Sequence, residues 1–326
     1  MLMRTAFQCL SPGGQRARLT VLIFHRVLPA ADPLFPDEMH AGRFDAICGW
    51  LRRWFVVLPV QDAVHRLREG TLPPRAVAIT FDDGYADNAE VAMPILQRHG
   101  LVSTFFVSTG YLDGGRMWND TIAYSVRGTR HLQIDLSDLG LPGIERMDLS
   151  GWDARRSAVT RLLGATKYLG DTERASLVES LAKRLAAEGL PTHLMMRSDQ
   201  VRALRDGGMR VGAHTVTHPI LGQLPRHLAL AELKESRHSL EVLLDEPVTA
   251  FAYPNGKPHQ DYTAESVELV KEAGFDVAVS TEWGSAGVGV DPLQVPRFSP
   301  WDRQRWRYGL RLMGNLRHQS QGVGAQ

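Results

Sequence analysis

Two adjacent carboxylates close an apolar run, where Val77-Ala78-Ile79-Thr80-Phe81 leads into Asp82-Asp83-Gly84. Carboxylates at the end of a buried strand are costly to place unless something uses them. Neighbouring side chains on an extended chain point in different directions. One carboxylate can therefore face a metal while the other faces a water. A second run, Met209 to Ala213, leads into His214-Thr215-Val216-Thr217-His218. Histidines at i and i+4 share one face of a helical turn, close enough to share an ion. Two histidines and one carboxylate with open positions suit hydrolytic zinc or a similar divalent cation. A third run ends in Phe251-Ala252-Tyr253-Pro254-Asn255-Gly256, whose Pro and Gly fix a rigid loop. Such a loop can aim backbone N–H groups at an oxyanion. Taken singly, each segment also fits a plain turn, a helix cap or a pair of surface histidines; together they specify chemistry.

Strands must carry these residues to one place. Unbroken apolar runs at Thr20–Phe24, Phe55–Leu58, Val77–Phe81, Thr104–Val107, Met209–Ala213, Val248–Ala252, Val277–Val279 and Leu293–Val295 suit strands buried on both faces. Helical patterns separate them, from near Asp87 to His99-Gly100, from Arg226 to Leu244, and from Thr263 to Ala273 before Gly274. The alternation predicts a βα barrel or a doubly wound sheet. It breaks between about 114 and 191, where a polar loop at 128–151 precedes helices at 154–169 and 172–189. That stretch reads as an insertion, either a lid or a structural decoration. Residues 320–326 read as a frayed tail.

The composition is that of an ordinary globular chain: 326 residues, 44% hydrophobic and 22% charged. A formal net charge of +1 gives no global electrostatic case for nucleic acid. Cys9 and Cys48 offer no disulfide framework. The apolar stretches near the start are too short for a signal core or a spanning helix, which points to a cytoplasmic protein, with membrane association left open.

The ordered set Thr80–Gly84, His214–His218 and Phe251–Gly256 resembles the NodB-type polysaccharide deacetylases of carbohydrate esterase family four, in the branch with a Phe-Ala-Tyr-Pro third motif. The resemblance implies α/β architecture, a distorted (β/α)7 barrel with a mainly helical insertion and the site at the C-terminal strand ends. It implies Asp82 as general base and Asp83, His214 and His218 as ligands of a divalent ion, Zn2+ before Co2+, Ni2+ or Fe2+. It implies Tyr253, Pro254 and Asn255 as a wall of the groove, with the N–H near Asn255 facing the oxyanion. Many relatives tether the base with an Arg in the third motif. Ala252 stands there, and Arg297 in Val295-Pro296-Arg297-Phe298 is the candidate substitute. Many also use a C-terminal His as acid. Here Phe24-His25-Arg26-Val27 resembles the start of the branch in which an N-terminal His takes that role, so His25 is the candidate acid.

The expected activity is metal-dependent removal of N-acetyl groups from an amino-sugar glycan. Alternatives are hydrolysis of a small amide or cyclic ureide on the same barrel, or a silent glycan-binding homologue. Trp118 could stack on a sugar and Asp120 bind its hydroxyls, although a helix cap explains Met117-Trp118-Asn119-Asp120 as well. Arg303, Arg305, Arg307, Arg311 and Arg317 decorate a Trp-containing C-terminal helix that fits a solvated surface as well as a peripheral contact with an anionic membrane or acidic glycan. The expected organisation is an N-terminal extension over 1–18, a barrel over 19–300 and a helix with tail over 301–326.

Overall fold

The computed structural model describes residues 2–141, 143–185, 189–299, 301–318 and 322–324. Its contacts divide into two units, residues 1–30, 39–113 and 196–326 in the first and residues 31–38 and 114–195 in the second.

In the first unit, α1 (Leu2–Leu10) precedes β1 (Thr20–Phe24), α2 (Ala41–Trp54), the short β2 (Val56–Val57), α3 (Val60–Arg68) and β3 (Ala76–Phe81). A π-helical turn at Asn88–Ala92 runs into α4 (Met93–Arg98), and β4 (Thr104–Val107) follows. The second unit holds α5 (Trp118–Gly128), a hairpin of β5 (Gln133–Asp135) and β6 (Arg146–Asp148), α6 (Trp152–Thr166) and α7 (Asp171–Arg184). The chain returns to the first unit with α8 (Ser198–Asp206), β7 (Arg210–Ala213), α9 (Arg226–Leu244), β8 (Ala250–Ala252), α10 (Ala264–Glu272), β9 (Val277–Trp283), β10 (Val295–Arg297) and α11 (Arg305–Asn315).

The large sheet is parallel, in the order β1-β3-β4-β7-β8-β9-β10, with β2 on the first residues of β3. A bridge between Leu22 and Phe298 returns β10 to β1, so seven strands close a (β/α)7 barrel. Inside it lie Val21, Ala78, Phe106, Ala250, Ala252, Val279 and Val295. The lining is mostly small, and Phe106 fills the centre. Gly212 makes room for that ring, since a Cβ on Gly212 would lie 2.6 Å from it. A larger core of Leu22, Phe44, Ile79, Phe81, Phe105, Leu233, Phe251 and Leu269 packs the strands against the helices.

All eight expected apolar runs overlap strands, although Val248–Ala252 and Leu293–Val295 start two residues early, Phe55–Leu58 overhangs the short β2 at both ends, and β9 runs on past Val279 to Trp283. In the insertion, the expected polar loop at 128–151 instead contains the β5–β6 hairpin, whose three-residue strands are too short to show a period. The expected tail is corrected in part: Val323 is buried, and its N–H donates to Gln294 Oε1 at 2.6 Å, while most of 319–326 lies outside the described residues. The N-terminal segment packs onto the first unit, where Phe7 is fully buried with its ring 4.4 Å from Phe55. Cys9 and Cys48 are free thiols. No helix among the described residues is long and apolar enough to cross a membrane.

Candidate active site

The period of two along each strand decides what enters the barrel. Ala76 and Ala78 face inward on β3, and the same row continues through Thr80 to Asp82. Val295 faces inward on β10, and the next residue of its row is Arg297. Both rows therefore meet at the C-terminal mouth. There the Arg297 guanidinium donates from both terminal nitrogens to the two Asp82 oxygens, each at 2.6 Å. Its Nε donates to the Ser280 carbonyl at 2.8 Å. The two side chains are 0% and 3% exposed, so this is a fully desolvated fork. Burial alone would raise the Asp82 carboxyl, but the charge and hydrogen bonds of Arg297, with His214 and His25, hold it below the usual carboxylate range. Asp82 is a charged acceptor kept in one orientation.

Asp83 leaves the strand at φ 77°, a left-handed value rare outside glycine, and Gly84 follows at 92°. That turn rotates the second carboxylate away from Arg297 and toward the histidines. Asp83 Oδ1 lies 3.4 Å from His214 Nε2 and 3.5 Å from His218 Nε2. The expected helical turn at 214–218 is not formed. Instead Thr215 and His218 both take left-handed φ, 65° and 58°, and this bend folds the two imidazoles to 4.8 Å between centroids. Thr215, His218, Asp83 and Asn255 are non-glycine residues held in strained backbone, which a fold tolerates where surrounding contacts enforce it.

Those contacts are specific. The Glu232 carboxylate on α9 accepts the N–H groups of Val216 and Thr217 at 2.7 and 2.9 Å, and the Thr217 hydroxyl. Gly110 N–H donates to the Val216 carbonyl at 2.9 Å, and Tyr111 donates its hydroxyl to the Thr217 carbonyl. Nothing local in the sequence marks Glu232, since it reaches the loop from a separate helix.

The three donor atoms fit one divalent ion. Asp83, His214 and His218 each present a ligand atom within 4.8 Å of the others. Two ligands at 2.0–2.2 Å on a tetrahedral ion stand roughly 3.3–3.6 Å apart, which matches the two Asp83–imidazole separations. The His214 Nδ1–H faces the Ala252 carbonyl at 2.7 Å, which leaves Nε2 as the free lone pair. In His218, burial and then the neighbouring His214 charge push the imidazole down to about 4, so it is neutral at physiological pH. In His214 burial lowers the value, but the Asp83 hydrogen bond and the Asp82 and Asp83 charges raise it above the ordinary range. Burial opposes ionisation of Asp83, yet the His214 hydrogen bond and the charges of His25, His218 and His214 hold it well below the usual carboxylate range. A proton and a cation compete for the same imidazole nitrogen.

His25 directly follows β1 and is exposed, and its charge is felt by both Asp82 and Asp83. Its loop is clamped from below. Asp87 accepts the Val27 N–H at 3.0 Å and the Arg26 Nε at 2.8 Å, and the Asn88 amide donates to the His25 carbonyl at 2.8 Å. Neither Asp87 nor Asn88 stood out in the sequence, although both lie within six residues of Asp82.

Two sequence expectations are corrected. Tyr253 does not form a wall of the groove: it is buried, its hydroxyl donates to the Leu293 carbonyl at 3.0 Å, and its ring stacks on Tyr262 at 4.1 Å. A Tyr that follows an inward and an outward strand residue is pulled into the helix-side core. Asp120 is buried in the first turn of α5, whose N-cap is Met117 with no side-chain capping bond, so it is neither the expected cap nor open to sugar hydroxyls. Trp118, in the same unit, lies half-buried with the Arg174 guanidinium 5.2 Å from its ring. Pro254 is buried and Asn255 half-buried at the loop tip. Of the loop's N–H groups, those of Tyr253 and Gly256 are bonded to Val279 and Pro254 carbonyls, and Pro254 has none, which leaves Asn255 as the remaining donor.

The chain matches the profile of the family described as Polysaccharide deacetylase over residues 69–155 and 166–278. That span contains Asp82, Asp83, His214, His218 and Asn255, whereas His25 and Arg297 fall outside it. Among curated relatives, YxkH of Bacillus subtilis (strain 168), named for polysaccharide deacetylase activity, is 21% identical over 288 residues, covering 87% of this chain and 72% of its own length. Among solved structures, IcaB from Ammonifex degensii aligns with a TM-score of 0.57 at 20% identity, covering 92% of this chain and 98% of that one. The Streptococcus pyogenes deacetylase PplD, in complex with acetate, aligns with a TM-score of 0.57 at 18% identity, covering 87% and 92%. These structures share the fold, and the sequence profile goes further, because it spans more than half the chain and both strand ends that carry the Asp and His pairs: the chain belongs to the polysaccharide deacetylase family and is a deacetylase, a hydrolase.

Proposed function

We propose that this protein hydrolyses N-acetyl groups from an amino-sugar glycan with a divalent metal ion, most simply Zn2+, held by Asp83, His214 and His218. The observation that supports it best is the meeting of two sets at one barrel mouth. A carboxylate fixed by a buried Arg stands beside three ligand atoms spaced for one ion. When bound, such an ion lowers the pKa of water and polarises an acyl carbonyl.

The chain's own groups supply the rest. Asp82 accepts a proton from the attacking water. Its low pKa keeps it in the basic form, and Arg297 prevents it from rotating away. The Asn255 N–H donates to the oxygen that gains charge as the water oxygen bonds to the acetamide carbon. His25 gives a proton to the sugar nitrogen as the C–N bond breaks, so acetate and a free amine leave. This assigns the chain to the branch with a Phe-Ala-Tyr-Pro third motif, in which the acid comes from the first strand. The exposed position of His25 at the end of β1 supports that assignment. A silent binding protein has no use for a desolvated, oriented base beside a ligand set, which argues against that alternative.

The test is acetate release from N-acetylglucosamine oligosaccharides, with mass analysis of the remaining sugar. Acetate with a matching loss of about 42 mass units per residue, as each acetyl group is replaced by hydrogen, supports the reading. Intact oligosaccharide across a panel of acetylated glycans, in metal-loaded protein, would sink it.

A further inference from the structure

A cavity of about 560 Å3 opens at the C-terminal mouth of the barrel, lined by Ile23, Thr281, Trp283, Phe298, Trp301 and Gly314, together with Arg297 and Arg311. It continues the inward rows of three strands. Ile23 follows Val21 on β1, Thr281 and Trp283 follow Val279 on β9, and Arg297 follows Val295 on β10. One lining residue, Arg297, also holds Asp82, so the cavity shares a wall residue with the catalytic carboxylate.

Its walls are mostly apolar, and three of the four polar side chains among them, Thr281, Arg297 and Arg311, are already engaged, while the fourth, Ser299, is exposed. The Thr281 hydroxyl donates to the Asn255 carbonyl at 2.7 Å. Arg297 spends its guanidinium on Asp82 and Ser280. Arg311 pairs with Asp302 and lies 4.0 Å from the Trp301 ring centroid. The ring of Trp283 stacks on His318. A sugar in this space would lose water from its hydroxyls and find few groups to replace it. An apolar chain would lose nothing.

Two further observations point the same way. Gly314 lines the cavity from the last turn of α11. A Cβ there would meet nothing within 4 Å, so the missing side chain leaves space open without relieving a clash. The apolar surface also continues out of the cavity. Trp301 is 62% exposed, and Trp306 and Leu310, at i and i+4 on the outer face of α11, are 53% and 51% exposed.

We infer that this cavity binds the hydrocarbon chain of an amphiphilic substrate, an N-acetylated amino sugar that carries an alkyl or prenyl chain. The chain lies between Trp283, Phe298 and Trp301 and leaves along Trp306 and Leu310. The sugar end faces Asp82. The identity of the scissile group rests on the deacetylase reading above, and the chain site does not.

The experiment uses alkyl β-glycosides of N-acetylglucosamine, from methyl through butyl and octyl to dodecyl, below their micelle concentrations. Affinity is measured by calorimetry and kcat/KM by acetate release. Chito-oligosaccharides of increasing length serve as the comparison series. Both affinity and kcat/KM should climb with alkyl length, by up to about fourfold per buried methylene, until the cavity fills. Gly314→Leu, which puts a side chain into the space, should flatten the climb, and Trp301→Ala should reduce it. A flat alkyl series in the wild type overturns the inference. So does a climb with sugar number alone, which would make this a glycan subsite, or a full climb retained in both variants. Because calorimetry needs no turnover, a protein that binds long chains but releases no acetate would keep the cavity assignment and overturn only the deacetylation reading.

Discussion

Asp82 and Asp83 are identical side chains with different work, and their surroundings divide it. The Arg297 fork holds Asp82 as a charged, oriented acceptor, while Asp83 turns through left-handed backbone to face two imidazoles. Asp82→Asn should keep metal near the wild-type level, because the three ligands are untouched. Its turnover should fall by about 10²–10⁴, the usual weight of a general base. Steady-state kinetics with metal analysis checks both halves. Arg297 sets where Asp82 titrates. Its folded-state pKa is depressed, so the base is available from below the ordinary carboxylate range upward and is lost as pH falls through that depressed value. Arg297→Lys keeps a charge but loses the two-pronged geometry. The Asp82 pKa should rise toward the ordinary range, and the acid limb of the kcat/KM profile should move to higher pH. A limb that stays put, or moves to lower pH, would show that another group controls it.

At the scale of elements, loops and strand ends do the positioning, and some of this was legible in the sequence. The carboxylate pair and the histidine pair each followed an apolar run, and those runs became β3 and β7. Arg297 was named because Ala252 stands where many relatives carry the tethering Arg, and Val295-Pro296-Arg297-Phe298 offered a substitute at the last apolar run. The helical turn at 214–218 was misread, because i, i+4 spacing is satisfied equally by a bend through positive φ at Thr215. Tyr253 was misread because a loop motif does not reveal which neighbour enters the core. Glu232, Asp87 and Asn88 were invisible, since they act through backbone groups of distant segments. Removing them tests whether the clamps matter. Glu232→Ala frees the Val216 and Thr217 N–H groups and should lower metal affinity by about 10- to 100-fold, as loss of supporting contacts around metal sites does. A metal-buffer titration measures it. Asp87→Ala should leave metal affinity alone but lower kcat, because it releases the Val27 and Arg26 ends of the His25 loop. His25→Ala should lower kcat more, with metal retained. If both variants turn over normally, the acid lies elsewhere.

Over the whole molecule, the seven parallel strands of the barrel bring to one rim residues separated by more than two hundred positions, as in the pairing of Arg297 with Asp82. Barrel enzymes place their chemistry at this end, where each strand hands its last inward residue to a loop. The second unit has a separate core around Ile122, Leu136, Met147, Leu162 and Leu181, and it contributes none of the three ligand residues. The central claim is that Asp83, His214 and His218 hold the ion on which deacetylation depends. Its most direct test is to strip the protein with a chelator and titrate Zn2+ back while bound metal and acetate release are measured together. Both should rise in parallel and break near one ion per chain, and His218→Ala should show neither at the same Zn2+ concentrations. Full acetate release from the metal-free protein, or tight binding of one ion in His218→Ala, would contradict it.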